Sequence, residues 1–348
     1  MDIRQSDTTA AHLPRIEEIS YVRRSWTPAQ TEAHIRTLPI WNGTIEVEQK
    51  FGGLQNRTFF VTTSSRERFA VRVGFDQFRT RQTAIVQCTI AAHTLGVGPR
   101  LIYAEPNLTV TEFVDGTGVQ LEQMKDRAIV KQIIDSMKKL HNGSHAVEET
   151  ISYWWPFDSV RRYLNAMENG KEANGFHPSK WVEMVPRFRE ITNRLETAIQ
   201  PYLPVLTHND MVFVNMIFDP DGQIMFIDWD GGAYGHPMWD VAEMLMWGEA
   251  DDEMTRYALQ CYYGEIDGEQ LQQRLREVHA FQIMSALRLC TECAEHILDP
   301  YFFLTPEEVS KGMDIVLPGQ DPSLDGLYDL ILPRFESLLS QYGREFES

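Results

Sequence analysis

The stretch LTHNDMVFVNMIFDPDGQIMFIDWDGG, residues 206–232, limits what this chain can fold into more than any other part of it. Polar side chains lie at its two ends, and its middle holds two apolar runs separated by the sequence Asp219-Pro220-Asp221-Gly222. Asp, Pro and Gly are turn residues, and the runs on either side are strand-like. The pattern therefore predicts a buried β-hairpin whose open end carries the polar groups.

The predicted hairpin brings two of these polar groups together. If the four-residue corner places Phe218 opposite Gln223, counting back places Asn215 opposite Phe226. Asp228 then lies diagonally across from Asn215. Side chains on such a diagonal are close enough to share a small ligand.

The side chains at the hairpin mouth suit phosphoryl transfer. The oxygens of Asn215 and Asp228 are ligands for a Mg²⁺ ion that keeps several waters and binds phosphates. Asp210, on the loop just before, could orient a hydroxyl group, and positioning with charge neutralisation does most of the work in phosphoryl transfer. The alternative is a structural hairpin with chance acids at its mouth. His208, Asp210, Asn215 and Asp228 at these spacings favour the functional interpretation.

Length and charge bound the class of protein. A chain of 348 residues exceeds the usual size of a single core, which predicts two lobes or domains. Its 50 acids and 32 bases give a formal charge of −18, which repels nucleic acid and attracts a small cationic substrate. The absence of an apolar run of eighteen residues predicts no membrane insertion and a cytoplasmic protein. A homodimer is compatible with this sequence.

The pattern of elements predicts an α+β fold. The sequence predicts a helical lead-in over residues 1–40, in which Ser25, Thr27 and Pro28 offer a second helix start. Alternating apolar residues and Gly pairs predict a β-rich region, 41–115, with antiparallel strands and one helix. The remaining residues, 116–348, are mainly helical and contain the hairpin and the predicted substrate site. The boundary between the two larger regions is predicted at Phe113 to Gly118, and active sites are common in such a crevice.

These segments resemble a known family. HNDMVFVN is similar to the catalytic loop of the protein-kinase-like small-molecule kinases, and FIDWDGGAYGHPMWDVAEM looks like their metal-binding segment and following helix. KFGGLQNRTFFV resembles the nucleotide loop of the choline/ethanolamine kinase group, especially the bacterial members, and FAVRV resembles its third strand. The likeness runs from about Asn42 to Trp247. It implies the two-lobe fold of the aminoglycoside phosphotransferase-type superfamily, with ATP and Mg²⁺ as cofactors.

The resemblance also implies a role for each matching residue. Asp210 would be the catalytic base and His208 would support its loop. Asn215 and Asp228 would hold Mg²⁺, and Asp240 would brace the loop, since a buried acid needs N–H partners. The residues expected to contact ATP are Gly52, Gly53, Asn56, Arg72, Glu112, Phe113 and Val114.

The chain departs from the family pattern at the strand cation. Arg72 stands where protein kinases carry Lys, although Arg is familiar there in bacterial choline kinases, and its fork can grip phosphate. The following helix holds no acid between Arg79 and His93 to pair with it. Gln82 or Gln87 is therefore expected as a neutral partner.

The leading hypothesis is an ATP-dependent kinase acting on the hydroxyl of a small cationic metabolite of the choline or ethanolamine type. Candidate substrate-side residues are Asp230, Trp229, Trp247 and Tyr263, because aromatic faces and acids hold cations. Asp230 could instead bind metal or be a solvated acid, and each aromatic could be core. The alternatives are an aminoglycoside- or sugar-type kinase and a non-catalytic nucleotide-binding pseudokinase.

Overall fold

The computed structural model describes residues 26–52, 56–74, 79–169, 182–298 and 304–347. The first of these ranges opens with helix α1, Pro28–Ile35, which begins at Thr27 as predicted. The Thr27 hydroxyl accepts a hydrogen bond from the Gln30 backbone, and the Gln30 side chain accepts one from the Thr27 backbone. The earlier part of the predicted lead-in lies outside the described residues.

A five-stranded antiparallel sheet follows, in the spatial order β1-β2-β3-β5-β4. Its buried face includes Val61, Val71 and Val110, each fully buried. Helix α2 lies between β3 and β4 in the chain and contributes Cys88 and Ala91 to the same core. The strands and helix are β1 Ile45–Lys50, β2 Asn56–Thr63, β3 Arg68–Gly74, α2 Arg79–Thr94, β4 Leu101–Glu105 and β5 Leu108–Glu112.

The remainder of the described chain is mainly helical, which confirms the predicted α+β class. Helix α8 lies at its centre and packs against α4, α6 and α10. No helix in the described ranges has the length and apolarity needed to cross a membrane. In chain order the elements are β6 Thr117–Gly118, α3 Arg127–Asn142, α4 Pro156–Asn169, α5 Val185–Glu196, β7 Val205–Thr207, β8 Met216–Phe218, β9 Ile224–Phe226, β10 Ala233–Gly235, α6 Pro237–Trp247, α7 Asp252–Tyr263, α8 Gly268–Leu298, α9 Pro306–Val316 and α10 Leu324–Tyr342.

The hairpin of β8 and β9 exists, but its predicted register is wrong by one residue. Phe218 pairs with Ile224, not with Gln223. The Asp219 N–H donates to the Gln223 carbonyl at 2.9 Å, so Asp219 belongs to the ladder and the turn is one residue shorter than predicted. Gly222 closes this shorter turn at φ +77°, a left-handed conformation that glycine adopts without steric cost.

The corrected register changes which residues face each other at the mouth of the hairpin. Asn215 lies opposite Ile227, whose N–H donates to the Asn215 carbonyl at 3.0 Å. The predicted pairing of Asn215 with Phe226 is therefore wrong. Asp228 follows Ile227 directly and leaves the strand in a left-handed conformation, with φ 61°.

The segment that connects the five-stranded sheet to the helices, around Gly116–Gly118, packs against the hairpin of β8 and β9. Strand β6 pairs with β8, and Thr117 lies opposite Phe218. A Cβ atom built on Gly116 would lie 2.0 Å from the Phe218 carbonyl oxygen, much closer than atoms can approach. Only glycine allows the two backbones to lie this near each other.

We expect Gly116→Ala to lower the free energy of unfolding by about 1–3 kcal/mol, the usual cost of overpacking a tight contact. Gly118→Ala is the matched control, because nothing lies within 4 Å of the Cβ it would add. Chemical denaturation of both variants provides the measurement. Equal effects from the two substitutions would contradict the close-approach argument.

Candidate active site

The loop that begins at His208 is held in place by one buried acid on α6. Asp240 is fully buried, and its two carboxylate oxygens accept the backbone N–H groups of His208 and Asn209, each at 2.8 Å. The His141 Nε2 lies 3.1 Å from the same carboxylate. Asn209 adopts a left-handed conformation, with φ 63°. The prediction that Asp240 braces this loop is confirmed by these contacts.

His208 joins the loop to the segment that carries Asp228. Its ring is fully buried, and its Nε2 donates to the Ile227 carbonyl at 2.9 Å. The centroid of the ring lies 4.5 Å from that of the Trp229 ring. The His208 side chain thus contacts the backbone and packing partners of the next segment.

Asp210 and Asn215 contact each other directly. The Asn215 amide Nδ2 donates to the Asp210 carboxylate Oδ2 at 2.8 Å and to the Asp210 carbonyl at 3.1 Å. Burial raises the pKa of Asp210, and the nearby Arg288 and His208 charges oppose that rise. Because the Nδ2 end of Asn215 is engaged by Asp210, its Oδ1 end remains available to bind a cation.

Asp228 has one buried carboxylate oxygen without a hydrogen-bond donor in the described part of the chain. Its Oδ1 is buried and accepts no hydrogen bond from any described residue. The Arg72 Nε lies 3.7 Å from it. A buried carboxylate oxygen is costly unless a cation compensates it, and Arg72 supplies that charge without a hydrogen bond. Together with the Oδ1 of Asn215, the Asp228 Oδ1 provides the hard oxygen donors that Mg²⁺ requires.

Asp230 supplies the acidic partner that α2 lacks. Arg72, on β3, pairs with the Asp230 carboxylate and donates to the Asn56 Oδ1 at 2.8 Å. The Asn56 Nδ2 in turn donates to Asp230 at 2.8 Å. The Asp230 side chain is 13% exposed, so it is not a solvated acid. The three side chains connect strands β2 and β3 to the segment that follows the hairpin.

The two glutamines expected to hold Arg72 have oxygens engaged elsewhere. The Gln82 Oε1 accepts the Asn107 backbone N–H at 3.3 Å, and the Gln87 Oε1 accepts that of Glu148 at 3.3 Å. Carboxylates, which bind a guanidinium more strongly than an amide does, take their place beside Arg72.

The residues predicted to bind nucleotide lie on β2, β3 and the end of β5, or in the segments directly after β1 and β5. Gly52 lies in the turn between β1 and β2 with φ +149°, in backbone space that L side chains rarely adopt. Gly53 lies outside the described residues. At the other end, the N–H groups of Glu112 and Phe113 are bonded to the carbonyls of Arg100 and Arg68. The Glu112 carbonyl and the Val114 N–H are then the groups of this segment suited to meet an adenine.

A second buried network lies behind Asp210 and was not predicted from the sequence. Glu243, on α6, accepts the Met211 backbone N–H at 2.7 Å and lies 3.4 Å from the Arg288 guanidinium. Arg288, on α8, also pairs with Glu292 at 3.2 Å, and its guanidinium carbon lies 5.8 Å from the Trp154 ring centroid. Burial raises the pKa of Glu243 well above its ordinary value. Glu243, Arg288, Glu292 and Trp154 are called the Arg288 cluster below.

A signal for this cluster was present in the sequence. Glu243 is one of only two acids in the otherwise apolar stretch PMWDVAEMLMW, and Arg288 lies in the mainly apolar stretch AFQIMSALRLC. Charged residues in such surroundings are buried only when paired, so each one indicates a partner across a helix interface.

The aromatic residues predicted on the substrate side pack against the fold. Trp229 is 3% exposed, and its indole N–H donates to the Phe226 carbonyl at 3.2 Å. The Trp247 ring contacts Phe213, and the Tyr263 ring contacts Tyr262. Trp154 is the aromatic residue found in the cluster next to Asp210.

We expect Glu243→Ala to lower the free energy of unfolding by about 1–3 kcal/mol, because the buried Met211 N–H loses its acceptor. Glu243→Gln keeps a side-chain oxygen at that position and should lose less. Urea denaturation of the two variants tests the comparison. If they are equally destabilised, the contact with Met211 is not what Glu243 contributes.

Comparison with known proteins places this site in a family. The family model described as the phosphotransferase enzyme family, APH, matches residues 47–280. Protein LicA of Haemophilus influenzae is 23% identical over 179 residues, which is 50% of this chain and 62% of LicA. The matched region thus spans less than two thirds of that relative.

Solved structures show the same fold. A choline/ethanolamine kinase family protein from Mesorhizobium loti has a TM-score of 0.63 and 18% identity over 91% of this chain and 97% of its own. A LicA structure in complex with AMP has a TM-score of 0.63 and 15% identity over 90% of this chain and 100% of its own. The resemblance drawn from the sequence is confirmed: this chain belongs to the APH phosphotransferase enzyme family and has its kinase-like fold.

Proposed function

We propose that this phosphotransferase is an ATP-dependent, Mg²⁺-requiring kinase that phosphorylates the hydroxyl of a small amino alcohol of the choline or ethanolamine type. One set of contacts carries the proposal: Asn215 donates to Asp210, the Asn215 carbonyl accepts the N–H of Ile227 directly before Asp228, and Arg72 approaches Asp228 from the sheet. Phosphoryl transfer needs an acid that orients the acceptor hydroxyl, oxygen ligands for a metal ion and a cation that binds the phosphates.

Each residue acts on a stated group. Asp210 accepts the proton of the acceptor hydroxyl as its oxygen forms a bond to the γ-phosphorus, and the bond from that phosphorus to the bridging oxygen of ADP breaks. Arg72 binds the phosphates through its guanidinium fork. Asn215 and Asp228 would hold Mg²⁺, which supplies charge neutralisation on the phosphate oxygens when bound.

The nucleotide is proposed to bind against the sheet. The backbone of Gly52 and the side chain of Asn56 cover the phosphates. The Glu112 carbonyl and the Val114 N–H bind the adenine edge, because the N–H groups of Glu112 and Phe113 are already used within the sheet. His208 is proposed to position the loop, since its Nε2 donates to the Ile227 carbonyl.

Asp230 is proposed to orient Arg72. In many kinases an acid on the helix after the third strand does this, and its absence motivated the pseudokinase alternative. The contacts of Asp230 with Arg72 and Asn56 supply the missing carboxylate from a different segment. These contacts favour an active kinase over the pseudokinase alternative.

The acceptor class is proposed from charge. The chain carries a net charge of −18, and Asp210, Glu243 and Glu292 lie together near its acceptor side. Carboxyl groups beside the Trp154 ring favour an ammonium group. The Arg288 guanidinium is itself a cation next to this ring, which indicates that the surroundings stabilise positive charge.

A second acceptor class is supported by the same residue. Arg288 already pairs with Glu243 and Glu292, so part of the negative charge available to a substrate is neutralised. A polyhydroxylated acceptor, of the sugar or aminoglycoside type, would use these groups as hydrogen-bond partners. ADP release in the presence of choline, ethanolamine, simple sugars and aminoglycosides distinguishes the two classes. Silence with every alcohol, from a protein that binds Mg-ATP, would refute the proposed activity.

We expect Asp210→Asn to reduce turnover by about 10²–10⁴-fold, the usual contribution of a general base, with ATP affinity nearly unchanged. The amide keeps the shape of the side chain but cannot accept the hydroxyl proton. Steady-state ADP release and direct nucleotide binding provide the two measurements. A variant with wild-type turnover would remove Asp210 from the mechanism.

We expect Asp230→Asn to raise the KM for Mg-ATP about tenfold, as loss of one charge-assisted hydrogen bond to Arg72 predicts. The dependence of the rate on free Mg²⁺ should stay as in the wild type. Asp221→Asn, in the exposed turn of the hairpin, is the control. A shifted Mg²⁺ requirement in Asp230→Asn would mean that Asp230 is a metal ligand and does not serve to orient Arg72.

A further inference from the structure

The start of α9 is joined to the hairpin of β1 and β2, in the five-stranded sheet, by a buried ion pair. The Arg57 Nε and Nη2, on β2, donate to the two oxygens of Glu308 at 2.6 and 3.0 Å. The side chains of Arg57 and Glu308 are 2% and 7% exposed. Burial opposes ionisation of Glu308, but Arg57 and the Thr305 N–H hold its pKa below the ordinary value. The pair is therefore a charged, bidentate contact between residues far apart in the chain.

Further contacts of α9 reach the same hairpin. The Gln49 Nε2, on β1, donates to the Glu308 Oε1 at 2.7 Å. The Lys311 ammonium lies 4.8 Å from the centroid of the Phe51 ring, next to Gly52 in the chain. One turn of α9 therefore contacts β1, β2 and the described part of the turn between them. We call Gln49, Arg57, Glu308 and Lys311 the α9 strap.

One residue of the strap, Arg57, is adjacent in the chain to a residue of the proposed active site. Arg57 follows Asn56, and successive side chains of a strand point to opposite faces. Asn56 faces Arg72 and Asp230, while Arg57 faces Glu308. A shift of β2 at Arg57 therefore also moves Asn56. Catalytic contacts are sensitive to such displacements, which cost rate or affinity even when small.

We propose that Glu308 and Arg57 are positioning residues for the nucleotide phosphates. The inference rests on the proposed function, because that function assigns Gly52 and Asn56 to the ATP phosphates. Glu308 fixes Arg57, Arg57 fixes the start of β2, and that strand fixes Asn56, while the contacts of Gln49 and Lys311 hold the end of β1 next to Gly52. The mainly helical part of the chain thereby sets the position of groups that belong to the sheet.

The alternative is a pair that only stabilises the fold. Such a pair would lower the melting temperature when broken and leave the binding of nucleotide to the folded protein unaltered. The positioning role predicts a selective effect on nucleotide affinity, with the acceptor side unaffected. The two roles therefore differ in a measurement made on folded protein.

The test uses the full chain with Glu308→Gln and Arg57→Lys. Glu308→Gln keeps an oxygen for the Thr305 cap but removes the charge, and Arg57→Lys keeps the charge but loses the bidentate fork. Asp314→Asn, an exposed acid on the same helix, is the matched control. Calorimetric titration with Mg-ADP gives the dissociation constant, and ADP release gives kcat and the KM of each substrate.

We expect both strap variants to weaken Mg-ADP binding and raise the KM for ATP by about tenfold, with the KM for the acceptor unchanged. Asp314→Asn should match the wild type. Unaltered Mg-ADP binding in folded variants, with only a lower melting temperature, would overturn the inference. If Glu308→Gln does not fold, Arg57→Lys decides alone. A wild type that binds no Mg-ADP would instead refute the proposed function.

Discussion

The rest of the site depends on one contact: the Asp240 carboxylate accepts hydrogen bonds from two backbone N–H groups. The His208–Asn209 segment adopts a left-handed turn in the interior, where unpaired N–H groups would be costly. With those groups bound, the chain can leave β7, place Asp210 at the cleft and enter the hairpin. Asn215 and Asp228 are then positioned by backbone pairing, which is much stiffer than a surface loop.

The second organising constraint is electrostatic. Asp228 and Asp230 lie two residues apart and face one guanidinium, that of Arg72, which comes from the sheet. Two carboxylates so close together would repel each other without a cation between them. The sheet and the segment after the hairpin are therefore joined by the same charge that is proposed to bind phosphate, at the place where chemistry is proposed.

Much of the fold and of the candidate site could be predicted because polar groups stood in apolar surroundings at characteristic spacings. His208, Asp210, Asn215 and Asp228 were named as candidates this way, and Asp240 was named through the family resemblance. The hairpin register was wrong because composition does not say whether Asp219 ends a strand or starts a turn. The partner of Arg72 and the pairs of Glu243 and Glu308 were missed for another reason: each joins residues distant in the chain, and sequence patterns describe only neighbours.

The position of Arg288 has an evolutionary consequence. This side chain comes from α8, whereas the residues proposed to handle phosphate come from the sheet and the hairpin. A change at position 288 would alter the charge beside the proposed acceptor side and leave every group proposed to bind phosphate in place, but it would strip Glu243 and Glu292 of their partner. Descendants of such a chain would therefore have to change these three positions together to acquire a new preferred alcohol.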